Sequence, residues 1–451
     1  MYKRQLLDKL FCSPITLAEK GTDYLFGLNG CELNLSLAYE YFSLAAKKGN
    51  KNAKGTLELF FTPGKAELSQ EMKDGFDAFR KLRLAVEDGD PSACFLYGIG
   101  KLSDDSDEYM YNKGLNWVKL SADKNYPPAM YAYGCEMLKG KRIPQDRNLG
   151  MEYVKKAAEK DDIKAIRLLY SLGEEILALR AINRLVANNN PEGIHLLAQI
   201  KLSEDNHSEA ISLMEKAATL GDKEAMFNIA VIYDNGKICN KDPYKAAMWY
   251  KRAAELGDTQ AMDNLAFLLE KGPEEMRNEK VAFDWYVKAA ENGLLGAWND
   301  VATCYKRGVG VPQSFEKAKN NYKKAIESDN PERAYYNLFL LYTDGIATPS
   351  NTKEALPWLR KAAEVGVPEA CWHLGMHYKI GMGLEQDLNQ AFRWFNIAAE
   401  KEHPGAMYEV GQMYLSGNVV ENDDVKAYEY LLKASKYLPE ACLLYTSDAA
   451  D

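Results

Sequence analysis

The stretch Ala225-Met-Phe-Asn-Ile-Ala-Val-Ile-Tyr-Asp-Asn-Gly236 carries the pattern from which the fold can be predicted. Ala225, Ile229 and Tyr233 are spaced four residues apart, which places them on one stripe of an α-helix. Asp222 stands three residues before Ala225, where an N-cap side chain accepts a backbone hydrogen bond. Gly236 follows the last turn and suits a left-handed C-terminal cap. The stretch therefore predicts one amphipathic helix with both ends marked.

A second helix follows in the segment Lys245-Ala-Ala-Met-Trp-Tyr-Lys-Arg-Ala-Ala-Glu-Leu-Gly-Asp258. Ala246, Trp249 and Ala253 follow the i, i+3, i+7 spacing of a buried helical face. Small alanines let helices approach closely, and the aromatic side chains fill the space to a neighbouring repeat. We therefore predict that the recurring Trp and Tyr residues are core residues and not a ligand cage. The same pattern returns at Ala282, Trp285, Tyr286 and Ala289, and at Ala391, Trp394, Phe395 and Ala398.

The helix pair recurs along almost the whole chain of 451 residues, at an interval close to 36 residues. Such a period is typical of solenoids, because one repeat cannot bury its apolar face without a neighbour. The fold class is therefore predicted as all-α, an α/α superhelical solenoid of about twelve helix-pair repeats of ~36 residues. The residues that open the repeats are Thr16, Ala53, Ala93, Ala129, Ala165, Gly193, Ala225, Ala261, Ala297, Ala334, Ala370, Ala406 and Ala441. The glycines predicted to cap first helices are Gly27, Gly140, Gly236, Gly272, Gly308, Gly345, Gly381 and Gly417.

The interval lengths divide the chain into five segments. Residues 1–12 precede the first repeat, and residues 13–164 form a first block. Residues 165–224 hold repeats of 28 and 32 residues, where we expect shortened helices or loops and a kink or subdomain break. Residues 225–440 form a second block. Residues 441–451 are interpreted as a truncated repeat start joined to a tail that resembles a translated sequencing adapter, so the natural protein is expected to be longer.

Composition describes a folded chain with an acidic balance. Apolar residues make up 47% and the formal net charge is −9, whereas binding phosphates requires clustered positive charge. We therefore predict no nucleic-acid partner. No apolar run approaches the ~20 residues that span a bilayer, so no membrane insertion is expected. No signal peptide is evident and the eight cysteines form no CxxC pair, which predicts a cytoplasmic protein without disulfides, with export by another route left open.

Patterns that could carry catalysis or bind a metal are few. His373 and His377 have the i, i+4 spacing that can share a metal, but residue 374 is leucine where a zinc protease has glutamate, and no third ligand is evident. Two repeat positions that happen to be histidine are the favoured interpretation. The loop Gly308-Val-Gly310 follows no predicted strand, so it is not a dinucleotide fingerprint. No nucleophilic constellation can be assembled, and we predict no enzyme activity, metal or other cofactor.

The repeat resembles that of a known family. The segment Val365-Gly-Val-Pro-Glu-Ala-Cys-Trp-His-Leu-Gly-Met-His-Tyr-Lys-Ile-Gly-Met-Gly383 is similar to the Sel1-like repeat, a relative of the tetratricopeptide repeat. The resemblance extends over residues 13–440 and departs from the family pattern between Ala165 and Ala225. It implies a non-enzymatic scaffold that binds partner proteins or peptides, with adaptor roles in the assembly of bacterial signalling or envelope complexes.

In the six repeats that open from Ala225 to Ala406, a polar stripe lies three residues after the opening residue, beside the apolar positions. By similarity to tetratricopeptide repeats, first helices line the concave face, where extended peptides are bound by amide and charged side chains. The stripe is therefore predicted to bind the partner. The alternative, given equal weight, is that these residues form hydrogen bonds within or between helices. The stripe consists of Asn228, Asn264, Asp300, Asn337, His373 and Glu409.

A second functional class comes from the same resemblance. Some secreted, cysteine-rich members of the family are associated with β-lactam binding or hydrolysis and with host interaction, which would give this chain a β-lactamase-like or host-factor-binding activity. Those members carry a cysteine in each helix of a repeat, so that a disulfide joins the pair. The second helices here read Ala157-Ala158, Ala253-Ala254 and Ala289-Ala290 instead. The scaffold is therefore the preferred prediction.

Overall fold

A computed structural model describes residues 13–26, 34–60, 81–102, 108–343 and 352–438. Over these ranges the chain is built of helices with short connections and contains no β-strand. The predicted segments 1–12 and 441–451 lie outside the described residues, as does the repeat start at Ala441. The predicted fold class, an all-α solenoid of helix-pair repeats, is confirmed.

The described residues contain twelve helix pairs, in which odd-numbered helices are the first helices and even-numbered helices the second. The first helices are α1 Pro14–Phe26, α3 Lys51–Phe60, α5 Pro91–Leu102, α7 Pro127–Lys139, α9 Ile163–Ser171, α11 Pro191–Ser203, α13 Lys223–Asn235, α15 Thr259–Lys271, α17 Trp298–Arg307, α19 Glu332–Thr343, α21 Pro368–Ile380 and α23 Pro404–Ser416. The second helices are α2 Leu35–Lys47, α4 (described over 81–87), α6 Glu108–Asp123, α8 Arg147–Glu159, α10 Glu175–Ala187, α12 His207–Thr219, α14 Pro243–Glu255, α16 Glu279–Glu291, α18 Phe315–Ala325, α20 Thr352–Glu364, α22 Leu388–Glu400 and α24 Asp424–Ser435. Short 3-10 turns span Glu274–Met276 and Leu295–Ala297.

Side-chain caps begin most first helices where the sequence predicts them. The Asp258 carboxylate accepts a hydrogen bond from the Ala261 N–H at 2.9 Å, which satisfies one of the free donors of the first turn. Leu294 occupies the equivalent position before α17 and cannot cap, and this helix starts through the 3-10 turn instead. Local sequence thus determines how each helix begins.

Glycine ends several first helices in the left-handed conformation, with one correction to the prediction. Gly236 has φ 65° and its N–H bonds to the carbonyl of Ile232, the geometry of a C-terminal cap. Gly272 was expected to behave in the same way, but its φ is −67° and its backbone is extended. Pro273 follows it, and a residue before proline is driven to extended backbone by the proline ring. Gly27 and Gly345 lie outside the described residues.

Alanines and aromatic side chains form the buried face of the second helices. Ala246 and Ala253 are fully buried and Tyr250 is 2% exposed, so this face packs into the core as predicted. Burying one side chain of this size stabilises the fold by about 2–3 kcal/mol. Trp285 is only half-buried, and the Lys288 Nζ lies 4.2 Å from the centre of its ring. The alanines permit the close helix contacts, and the aromatic rings seal the neighbouring space.

The two short repeats have a simple structural origin. Only the residues 172–174 join α9 to α10, and only the residues 204–206 join α11 to α12. The equivalent connection between α13 and α14 runs over 236–242. In addition, α9 has nine residues where most first helices have 13. Shorter connections and one shorter helix therefore account for both short intervals, while the kink proposed for 165–224 stays a prediction.

The chain divides into two compact bodies, Met1–Leu197 and Ala198–Asp451. In the N-terminal body, Leu17, Leu25 and Tyr41 belong to a core cluster built by α1, α2 and α3. In the C-terminal body, a continuous cluster runs from Ala302 on α17 to Ala434 on α24. No helix in the described ranges is both long and apolar enough to cross a bilayer.

Candidate functional site: the first-helix row

The six predicted stripe residues all lie on first helices of the C-terminal body, one on each of α13, α15, α17, α19, α21 and α23. Every one of them is half-buried. We call the positions two and three residues after the opening residue of these six helices the first-helix row. The row therefore contains the predicted stripe and its neighbour one position earlier.

Asn264 forms a hydrogen bond inside the fold. Its side-chain amide bonds to the hydroxyl of Tyr250, which lies almost completely buried on the preceding second helix. Burial raises the pKa of the Tyr250 hydroxyl, and this amide bond partly offsets that effect. Asn264 thus supports the alternative in which stripe residues join helices. Asn228 is half-buried at the same position of α13.

Asn337 joins two adjacent first helices. Its Nδ2 donates a hydrogen bond to Asn299 Oδ1 at 2.8 Å, across the 38 residues that separate them in sequence. Asn299 is 4% exposed, so this contact satisfies an acceptor that water reaches poorly. Asn299 immediately precedes Asp300, and the contact therefore brings two predicted stripe residues, Asn337 and Asp300, into one polar cluster.

Two carboxylates from neighbouring first helices are buried in that cluster. Burial, reinforced by the charge of Asp300 and opposed by Arg333, raises the pKa of Asp263 to about 7. Burial also raises the pKa of Asp300, again against the effect of Arg333. Arg333 Nη2 lies 3.7 Å from Asp300 Oδ1, and its side chain is 78% exposed. One loosely held guanidinium therefore faces two carboxylates, and the cluster favours an added proton or cation.

His373 lies among aromatic rings. Its imidazole is 4.8 Å from the ring centre of Trp372 and 5.4 Å from that of Phe339. Burial lowers the pKa of His373, and the nearby imidazoles lower it further. His377 is buried, and its Nδ1 lies 2.7 Å from the carbonyl oxygen of Met382. Within the described ranges no group of three or more His, Cys, Asp or Glu side chains could hold a metal ion.

Glu409 pairs with a residue of the preceding first helix. Lys379 Nζ lies 2.5 Å from Glu409 Oε2, and the Glu409 side chain is 12% exposed. Both residues, with Gln412 and Met413, line a cleft of about 450 Å³. The structure thus connects each of the four stripe residues from Asp300 to Glu409 to a neighbouring first helix, whereas Asn264 bonds to a second helix.

The sequence analysis did not identify the position two residues after the opening residue of a first helix as a candidate site position. Asp263 Oδ1, Asn299 Nδ2 and Trp372 Nε1 are all at this position, and each is buried without a hydrogen bond in the described structure. The Asn299 amide lies close to the Asp300 carboxylate but outside hydrogen-bonding geometry. A signal was present in the sequence, because Phe227, Tyr336 and Tyr408 show that the position is otherwise aromatic. Asp263 and Asn299 depart from that aromatic pattern, and together with the Trp372 indole they present groups that the described residues do not satisfy.

The cysteines of the described structure support no disulfide between paired helices. Cys94, Cys135, Cys239, Cys304 and Cys371 are all free thiols. Burial raises the pKa of Cys304 to about 12 and that of Cys371 to about 11, which keeps both thiols protonated and unreactive.

Similarity to one solved structure supports the fold, and a second similar structure is of the same repeat class. A protective antigen of uropathogenic Escherichia coli with the same repeat fold is 23% identical, with a TM-score of 0.52 over 94% of this chain and 84% of that one. A Sel1 repeat protein from Oxalobacter formigenes is also 23% identical, with a TM-score of 0.47 over 83% of this chain and 92% of that one. No curated protein sequence matches the chain.

The sequence model of the Sel1 repeat matches nine of the twelve repeats. It leaves the repeats that open at Ala53, Ala93 and Ala165 unmatched, so the family pattern is weaker there than the resemblance implied. The matched residues are 21–50, 127–162, 196–222, 223–258, 259–294, 298–330, 332–367, 368–403 and 404–436. Because these matches together cover about two thirds of its length, the chain belongs to the Sel1 repeat family.

Proposed function

We propose that the protein is a non-enzymatic scaffold that binds a partner protein or peptide on the first-helix row. The helical solenoid of the family is typically used for protein–protein interaction. We also propose a finer role, as an adaptor in the assembly of bacterial signalling or envelope complexes. In this role the protein is cytoplasmic and binds no nucleic acid. The stripe residues Asn228, Asn264, Asp300, Asn337, His373 and Glu409 lie within the proposed surface.

One observation carries the proposal: among the residues that the structure describes, three first helices hold a buried polar atom without a hydrogen bond at the same repeat position. Each such atom costs about 1–3 kcal/mol, and native folds contain few of them. Functional sites tolerate this kind of local instability, because a ligand can form the hydrogen bonds that the fold leaves unmade. They recur at one position of α15, α17 and α21, while α19 carries Tyr336 there, and together they outline a row that an extended partner could follow.

An exposed apolar side chain lies next to the first-helix row. Phe267 lies one turn after Asp263 on α15, and its side chain is 55% exposed. Residues at i and i+4 share one face of a helix, so the aromatic ring and the carboxylate are presented side by side. Exposed aromatic side chains beside polar groups are typical anchors of protein interfaces. We therefore include Phe267 in the proposed binding surface.

Photocrosslinking in host cells tests the surface directly. A photoreactive phenylalanine analogue is placed at Phe267, and a control chain carries it at Ile176, which is 71% exposed on α10 of the N-terminal body. A partner protein that crosslinks from position 267 and not from position 176 supports the proposal. Crosslinking only from position 176, or from neither position, contradicts it.

Two variants then separate binding from folding. Phe267→Ala removes an exposed ring and is expected to weaken partner affinity at least tenfold with little loss of stability. Alanine at Asn264 or Asn337 is less informative, because both residues also hold helices together. Trp285→Phe on the second helix α16 is the matched control and should bind normally. Equal affinities of the Phe267→Ala variant and the unaltered protein would exclude this surface.

A further inference from the structure

The first turn of α23 is capped by a histidine. His403 Nδ1 accepts a hydrogen bond from the Ala406 N–H at 3.2 Å. In the other described helices with a side-chain cap, the acceptor belongs to aspartate, asparagine or serine, as at Asp222 before α13 and Asp387 before α22. Aspartate remains an acceptor down to about pH 4, and asparagine and serine do not titrate, whereas imidazole loses its acceptor near pH 6–7. The cap of α23 is therefore chemically different.

His403 also lies in the contact between α23 and α21. Its ring stacks on the indole of Trp372, with centres 5.4 Å apart and planes 24° apart. Gly405 gives the indole room, because a Cβ atom there would lie 3.0 Å from Trp372 Nε1. Trp372 in turn contacts His373. The capping imidazole stacks on the indole, and the indole meets the second imidazole edge-on, so the three rings form one aromatic cluster between two repeats.

The groups facing His403 disfavour its charged form on balance. Burial lowers the pKa of His403, and the Glu369 carboxylate on α21 opposes that effect only in part. His373 on α21 is close enough that charge on either imidazole disfavours charge on the other. Lys401 and Glu402 flank His403 in the preceding turn, and the Lys401 ammonium donates a hydrogen bond to the carbonyl of Gly366.

We propose that His403 is a pH-sensitive joint, whose protonation removes the cap of α23 and loosens the last described repeat, α23 with α24, from α21. A protonated Nδ1 carries a hydrogen toward the Ala406 N–H, so an attraction at the helix N-terminus becomes a repulsion. The imidazolium is also disfavoured by the positive end of the helix dipole. The other described caps keep their acceptors, so the response is local to this repeat.

The sign of the effect follows from the direction of the shift. Because the folded state holds His403 with a pKa below its ordinary value of 6.5, the folded state binds fewer protons than the unfolded one. The stability of the joint is complete above about pH 7 and is lost as the pH falls below about 6.5.

Hydrogen exchange of the purified protein, followed by mass spectrometry at pH 7.5 and pH 5.5 and corrected for intrinsic rates, tests the joint. Protection of amides in Pro404–Ser416 should fall about threefold to tenfold at pH 5.5, while protection of Lys223–Asn235 should not change; about tenfold, equivalent to about 1.4 kcal/mol, is the limit for one imidazole with an ordinary pKa of 6.5. The variant His403→Asn retains a cap that does not titrate, and its protection should change less than twofold. His207→Asn, which removes a histidine from α12, should retain the full response.

Two outcomes would overturn the proposal. One is equal protection of α23 at both pH values in the unaltered protein. The other is a loss of protection in His403→Asn as large as that in the unaltered protein, which would place the acid response in other groups. Neither result depends on a binding partner, so this test is independent of the proposed function.

Discussion

Replacing Asp263 with asparagine is expected to make the protein more stable at pH 8. The carboxylate is buried beside Asp300, its Oδ1 has no hydrogen bond, and the nearest compensating cation, Arg333, is largely exposed. Asparagine has nearly the same shape and carries no charge. The variant therefore removes a buried charge and its repulsion from Asp300 while it leaves the packing of α15 unchanged.

The magnitude follows from the shift of the Asp263 pKa from 3.8 to about 7. One pKa unit corresponds to 1.36 kcal/mol, so the shift sets an upper limit of about 4 kcal/mol on the destabilisation. Sharing of the proton with Asp300 and relaxation around the site reduce this value, and we expect about 2 kcal/mol. The folded state holds its proton between about pH 4 and pH 7, so the destabilisation grows over that range and is complete above pH 7.

Urea unfolding at pH 8 and pH 5, followed by circular dichroism, measures the effect. The free energy of unfolding of Asp263→Asn should exceed that of the unaltered protein by about 2 kcal/mol at pH 8 and by clearly less at pH 5. Asp284→Asn, an exposed carboxylate on α16, is the matched control and should change stability by less than about 0.5 kcal/mol. A neutral or destabilising effect of Asp263→Asn at pH 8 would refute the reasoning.

Two further changes test the packing of the C-terminal body. Gly310→Ala should lower the free energy of unfolding in urea by about 2 kcal/mol or more. The reason is that φ of Gly310 is +68° and an added Cβ atom would overlap the backbone at the start of α16. The control Gly296→Ala should be tolerated, because its Cβ atom would meet no atom within 4 Å. Asn337→Ala should cost about 1–3 kcal/mol by leaving the buried Asn299 oxygen unpartnered, which Asn320→Ala, at an exposed position of α18, should not do. Equal unfolding free energies within either pair would contradict the corresponding contact.

Much of the fold was predictable because its signals are local. The spacing of Ala225, Ile229 and Tyr233 and the cap at Asp222 lie within one helix, and the structure places both as predicted. Where a prediction was wrong, a neighbouring residue explains the difference: Pro273 holds Gly272 in extended backbone. The sequence also placed the polar stripe on the first helices. It did not predict which side chains the stripe residues contact, because the spacing within one repeat does not show which side chains of the next repeat pack against it.

The sequence by itself determined the period, the helix boundaries and the family, because each depends on residues within one repeat and on its copies. Only the tertiary structure decided which polar residues meet across repeats. Asn337 and Asn299 are 38 residues apart, and Asp263 and Asp300 are 37 apart, yet stacking of first helices brings each pair into one cluster. Burial and charge in that cluster arise from the neighbours that packing supplies, and they distinguish polar groups that the described fold satisfies from those it leaves without a hydrogen bond.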